Sequence, residues 1–157
     1  ALNSDCEIKV IQQRLSDEQL NELARQHHTI VDCCDNLQTR NQLNQASVKT
    51  KTPLVSGAAI RMEGQVCTFI PSDVNACYAC LSTLFSEQTL TCVEAGVMSP
   101  VVGIIGSMQA LETIKVLTQF KQTLTNKLQI FDASNSQWQL LNMAKNPICK
   151  VCSTLTK

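Results

Sequence analysis

Two Cys-x-x-Cys pairs, Cys77–Cys80 and Cys149–Cys152, constrain this chain more than any other feature. A single pair has three readings: a disulfide, a thiol–disulfide redox couple, or half of a tetrahedral metal site. Nine cysteines is an odd number, and Cys33 and Cys34 are adjacent, which suits a disulfide framework poorly. No charged stretch followed by an apolar run opens the sequence, so nothing marks it for an oxidising compartment. A redox Cys-x-x-Cys sits at a helix start after a strand, whereas "NACYAC" reads as a loop and "CKVC" as a tail. Two such knuckles supply four thiolates, the S4 shell of structural Zn2+. Structural zinc is the expectation, binding with on the order of 10 kcal/mol or more and tying a long loop to the C-terminus. The redox reading and the reading as incidental buried thiols stay open beside it.

What surrounds the pairs reads as one α/β unit. Residues Glu7–Gln12 suggest a strand, with Ile8, Val10 and Ile11 as β-branched bulk. "SDEQLNELARQ" predicts a helix, capped by Ser16 with Gln19 at the capping-box position. "HTIVDCC" (His28–Cys34) suggests a short buried strand, followed by a helix from Asp35-Asn36 to about Val48, and "TPLVSGAAI" another strand. That alternation implies parallel strands joined by crossover helices. "RMEGQVCTFI" leaves little room for a crossover helix before it, so the sheet is expected to turn mixed. Pro71–Ser99 has no clean periodicity and carries the first Cys pair; a loop of that length inside a compact domain is usually functional. Ser99-Pro100 predicts a cap and first turn for an apolar helix, Pro100–Phe120, and "KLQIFDA" and "SQWQLLNM" predict two closing strands.

Charge excludes some functions. Thirteen basic and thirteen acidic side chains balance, and the basic ones are scattered, so neither nucleic acid nor a membrane surface is expected as a partner. The most apolar stretch, Val93–Ile105, carries Glu94 and is too short to span a bilayer. A reduced, cytoplasmic protein is expected.

Three further groups could carry chemistry. Asp35 and Asn36 end the strand "VDCCDN" at the carboxyl edge of a parallel sheet, where open α/β sheets bind ligands. A carboxylate there can hold Mg2+ against a nucleotide phosphate, although both residue types are also common helix N-caps. Cys92, in "TCVEAGV", is a possible thiolate nucleophile or a small buried hydrophobe. Arg40 and Arg61 could contact an anionic partner tail. His27-His28 reads as surface or packing.

Taken together, "DCCDNLQTRNQLN", "PLVSGAAIRMEGQV", "CYACLSTLF", "TCVEAGVMSPVVGIIGSMQALETIKVL" and "NPICKVC" resemble, in order, the ThiF/MoeB/HesA adenylyltransferases, bacterial relatives of ubiquitin-activating enzymes. The resemblance runs from about Leu2 to Cys152, and "SGAAIRMEGQ" and "CVEAGVM" are most similar to the branch that serves molybdopterin synthase. It implies a Rossmann-like domain whose parallel strands continue into antiparallel ones. It also implies use of ATP and Mg2+ to adenylate the C-terminal glycine of a small ubiquitin-like sulfur-carrier protein, usually by a homodimer. By motif, Asp35 is the family's magnesium and nucleotide carboxylate, with Asn36 its neighbour. Cys77, Cys80, Cys149 and Cys152 are its zinc ligands, and residues 71–99 form the segment that crosses over the carrier's tail. Cys92 falls where thiamine-pathway relatives carry a cysteine that links covalently to the carrier. A non-catalytic module that binds a ubiquitin-like protein is the alternative reading.

One departure stands out. The family begins with a Gly-rich phosphate cradle, and this sequence has five glycines and no G-x-G-x-x-G. The chain therefore resembles the C-terminal part of the domain across residues 1–157, and is expected to be inactive alone.

Overall fold

The computed structural model describes residues 3–83 and 95–153. Among them, a five-stranded mixed sheet has the order β1-β2-β3-β4-β5: Ile30–Asp32, Leu54–Ile60, Glu63–Phe69, Lys127–Asp132 and Gln137–Asn142. β1 and β2 are parallel, with Asp32 opposite Ser56; every later pairing is antiparallel. The parallel pair is joined through helix α2 (Leu37–Thr50), and β2 turns straight into β3. This is the expected change from crossover to hairpin grammar, forced by the short link between Ile60 and Glu63.

Helix α1 (Asp17–Gln26) packs on α2 and starts as its sequence predicts. Ser16 Oγ accepts from Gln19 N–H at 3.3 Å, and Gln19 Oε1 accepts from Ser16 N–H at 3.0 Å. A short helix, α3 (Tyr78–Ser82), follows the first knuckle cysteine, and α4 (Ser99–Thr118) crosses the sheet.

The two sheet faces hold separate cores. On one, Leu54, Cys67, Phe69 and Leu128 pack with Val48 of α2, Tyr78 and Leu81 of α3, and the four knuckle cysteines. On the other, Val66 and Phe131 pack against Val101 and Ile105 of α4. That helix can lie close because β3 carries Gly64, where an added Cβ would fall 2.3 Å from Ile105 Cγ1. By length and composition α4 is apolar enough to cross a membrane. Gln109 and Glu112 fix it on the sheet instead: Gln109 donates to strand carbonyls, and Glu112 accepts from Thr68 Oγ1 at 2.9 Å while pairing with Lys115.

Three sequence expectations are corrected. "NACYAC" is not a loop: Cys77 is the N-cap of α3 and Cys80 lies within it, a helix start that follows β3, so its local setting does not set this pair apart from a redox couple. Residues Glu7–Gln12 form no strand; Ile8 and Val10 are 79% and 73% exposed and pair with nothing in the sheet. β-branched composition gives a strand only where a pleated neighbour can be packed, and no described element offers one there. Helix α4 begins one residue early, with Met98 at the N-cap and Pro100 in the first turn, so Ser99 does not cap it.

Candidate functional site

β1 ends in a polar cluster buried beneath a turn. The Asp32 side chain is 1% exposed, and its two oxygens face different tasks. Oδ1 accepts from Cys34 N–H at 3.0 Å, shaping the turn; Oδ2 accepts from Ser56 Oγ at 2.8 Å and pairs with Arg40 Nη1 at 3.2 Å. Arg40 reaches in from the first turns of α2, and its Nη2 donates to the carbonyls of Gly57, at 2.8 Å, and Cys34. From the opposite face, Gln109 Nε2 donates to Asp32 O at 2.7 Å and Val55 O at 3.0 Å, while Cys33 Sγ lies 3.6 Å from Gln109 Oε1. Both backbone polar groups of Cys34 and the carbonyl of Asp32 are thus held by side chains from three elements.

On this base stand Asp35 and Asn36, both exposed. Asn36 caps α2, accepting from Thr39 N–H at 2.9 Å, and its Nδ2 donates to Asp35 Oδ1 at 3.2 Å. Asp35 immediately precedes the N-cap of α2, at the positive end of that helix's dipole, a place that favours negative charge. The thiols beside it are poor nucleophiles: burial, then the Asp32 charge, pushes Cys34 up to about 11 and Cys33 upward too.

Arg61 lies at the same end of the sheet, in the β2–β3 turn, with φ of 53° and an exposed side chain. Its left-handed backbone is braced by Gly96 O, which accepts from Arg61 N–H at 2.8 Å, and by Met98 N–H, which donates to Arg61 O at 2.9 Å. Cys92 lies outside the described residues, as does the middle of the 71–99 segment, residues 84–94. Asp32, Ser56, Gln109 and Glu112 belong to no motif that spacing along the chain marks. The available signal was a Gln and a Glu inside the apolar run of α4, a polar intrusion that a buried helix accommodates only with partners.

The second constellation joins both knuckles. Cys77 is the N-cap of α3 and Cys80 lies within that helix; Cys149 and Cys152 lie on a tight C-terminal turn closed by Cys149 N–H to Asn146 O at 3.0 Å. All four are buried, and their sulfurs lie within 4.8 Å of one another. Cys77–Cys149, Cys80–Cys152 and Cys77–Cys80 are separated by 3.7, 3.5 and 3.9 Å. A tetrahedron with Zn–S of about 2.3 Å has edges of about 3.8 Å, so the donor set and its spacing fit a tetrahedral thiophilic ion.

Comparison with known proteins agrees with this architecture. The model of the ThiF family matches residues 1–151. The molybdopterin-synthase adenylyltransferase of Salmonella typhimurium is 46% identical over 151 residues, 96% of this chain and 61% of that protein. The sulfur carrier protein ThiS adenylyltransferase of Escherichia coli is 38% identical over 96% of this chain and 60% of its own length. The chain therefore spans about three-fifths of the length of these two relatives. Among solved structures, Escherichia coli MccB with ATP superposes with a TM-score of 0.69 over 91% of this chain and 45% of that one, at 18% identity, a likeness of fold. A mixed sheet that turns from parallel to antiparallel, and a family match over nearly its whole length, place this chain in the ThiF family.

Proposed function

We propose that this chain is the carboxylate-bearing and metal-stabilised part of an enzyme that adenylates the C-terminal glycine of a small ubiquitin-like sulfur carrier, of the kind that feeds molybdopterin synthase. The observation that carries the reading is the 46% identity to a molybdopterin-synthase adenylyltransferase across 96% of this chain.

In such a reaction an oxygen of the carrier's terminal carboxylate bonds to the α-phosphorus of ATP, and the bond to the bridging oxygen breaks, releasing pyrophosphate. Charge on the phosphates must be neutralised, and the tail must be held in line with the leaving group. Mg2+ supplies that neutralisation when bound, and Asp35, with Asn36 orienting it, is the group that would hold it. Arg61, exposed at the same end of the sheet, is positioned to meet an anionic tail. Arg40 serves from beneath, because its guanidinium is bonded to Asp32, Ser56, Gly57 and Cys34. The four-cysteine centre, read as zinc, steadies the start of the crossover segment and takes no part in bond making. Cys92 is the candidate for a covalent link to the carrier. The exposed apolar side chains of α4, Leu111, Ile114 and Leu117, fit burial in a homodimer. Eight unpaired thiols among the described residues fit a reducing cytoplasm.

The test is carrier-dependent ATP–pyrophosphate exchange by the longest polypeptide the gene encodes. Exchange that needs a Gly-Gly carrier and is lost in Asp35→Asn supports the proposal; exchange indifferent to that substitution sinks it. The 157-residue chain alone, with no glycine-rich phosphate cradle, is expected to be silent. The 38% identity to a ThiS adenylyltransferase favours a second reading, activation of a thiamine-pathway carrier, and comparing exchange with the two carriers separates them. Carrier binding without exchange by the encoded polypeptide would mark the chain as a non-catalytic docking module.

A further inference from the structure

Asn44 sits in the middle of α2, 1% exposed, where an amide without partners would be costly. Both ends of its side chain point at the first knuckle. Oδ1 accepts from Tyr78 N–H at 2.9 Å, and Nδ2 donates to Cys77 Sγ at 3.7 Å. Cys77 is the N-cap of α3 and makes no side-chain capping bond. Ser or Asp at that position would turn its own oxygen onto the first-turn amides, whereas a metal ligand must keep its sulfur turned towards the other thiols. Asn44 works from a different helix: it satisfies the Tyr78 amide, which a capping side chain would not reach, while Cys77 Sγ faces Cys149 at 3.7 Å.

From this geometry we infer that Asn44 is a positioning residue of the four-cysteine centre, acting on the metal through Cys77. An N–H donated to a thiolate is charge-assisted, and partners of this kind orient ligands and tune how strongly they bind the ion. Cys80 receives a comparable bond, at 3.5 Å, from the backbone N–H of Asn146. The donor to Cys77 is a side chain, so its contribution can be removed by substitution. The inference rests on the reading of the cysteines as a metal centre and extends it to a residue that no Cys pattern would select.

The experiment uses the 157-residue chain under reducing conditions, titrated with Co2+ as an optical probe and then with competing Zn2+. Asn44→Asp keeps an acceptor for Tyr78 N–H and removes the donor to Cys77; Asn44→Leu removes both without adding charge. Losing the donor raises the energy of the sulfur lone pairs, so the thiolate-to-cobalt charge-transfer band should move to longer wavelength in both variants. Zinc affinity should fall by about 10–100-fold. A side chain that merely fills space would leave the band where it is, and Asn44→Leu, with the same branched heavy-atom outline, would bind as the parent does. Circular dichroism checks folding, and the leucine variant covers the case in which the buried aspartate prevents it. If the parent chain binds no Co2+ in a tetrahedral thiolate spectrum, the metal reading falls and takes this inference with it. If the parent binds one equivalent and both variants match its band position and affinity within twofold, the metal reading stands and the role of Asn44 is overturned.

Discussion

Arg40 and Asp32 form an ion pair sealed inside the protein, Nη1 to Oδ2 at 3.2 Å, with side chains 8% and 1% exposed. The pair sits directly under the turn that presents Asp35, and both of its members also bond to the backbone of Cys34. Removing one partner strands the other charge where water cannot reach it. Arg40→Met is expected to cost about 3–5 kcal/mol in urea unfolding. Adding Asp32→Asn to it should recover part of that loss, because the stranded carboxylate is then neutral. A single-variant cost below about 1 kcal/mol would mean that solvent reaches the pair, as at an exposed salt bridge.

Gln109 ties α4 to the ends of β1 and β2 through the carbonyls of Asp32 and Val55. Gln109→Met keeps most of the volume and removes these bonds, leaving buried carbonyls unpaired at about 1–3 kcal/mol. Amide hydrogen exchange should quicken at Cys34–Asn36 while the β4–β5 hairpin keeps its protection. Uniform quickening across the sheet would contradict a local role.

Gly64 is where α4 and β3 approach most closely. The added Cβ of Gly64→Ala would fall 2.3 and 2.6 Å from Cγ1 and Cδ1 of Ile105, so α4 or Ile105 must shift. The expected cost is about 1–3 kcal/mol. Pairing it with Ile105→Val, which removes the Cδ1 methyl, should give a favourable coupling energy in a double-mutant cycle. Additive losses would show that the strain is relieved elsewhere.

The metal centre predicts one equivalent of zinc per chain, purified under reducing conditions, and its loss in Cys149→Ser. Chelation should release the C-terminal turn, read as rapid proteolysis near residues 146–152, with β2 and β3 intact. A metal content below about half an equivalent would favour the redox reading, because a closed S4 site holds its ion at neutral pH.

Alkaline pH should weaken the fold. Burial, followed by the Asp32 charge, holds Cys34 up to about 11, and Cys33 and Cys67 are raised as well, Cys67 chiefly by burial. A raised thiol keeps its proton in the folded state after the unfolded chain has released it. Its stabilisation is therefore complete below the unfolded value near 9 and is lost as pH rises towards about 11. Urea midpoints should fall over that window, and Cys34→Ser should flatten the fall by on the order of 1 kcal/mol after discounting for partial exposure. An unchanged slope would show that Cys34 titrates as a free thiol.

Much of this was legible before any coordinates. The four cysteines, the capping box at Ser16 and Gln19, and the change from parallel to hairpin connections were all written in local spacing, which chain geometry converts directly into structure. Glu7–Gln12 misled because β-branched composition records only a willingness to pair, and pairing needs a neighbour. Asp32, Gln109 and Asn44 were invisible for the opposite reason: each is an ordinary polar residue whose meaning comes from partners far along the chain.

The sequence by itself determined which residues could meet on a metal, where α1 and α2 begin, and the family to which the motifs belong. Those depend on spacing over a few residues or on long ordered patterns. The tertiary structure alone decided that Arg40 lies inside, that Gln109 links α4 to two strands, and that Asn44 reaches Cys77 Sγ at 3.7 Å. Such polar contacts are specified by packing: the apolar faces that bring the helices onto the sheet leave these side chains no solvent to turn to, so each bonds to what folding has placed beside it.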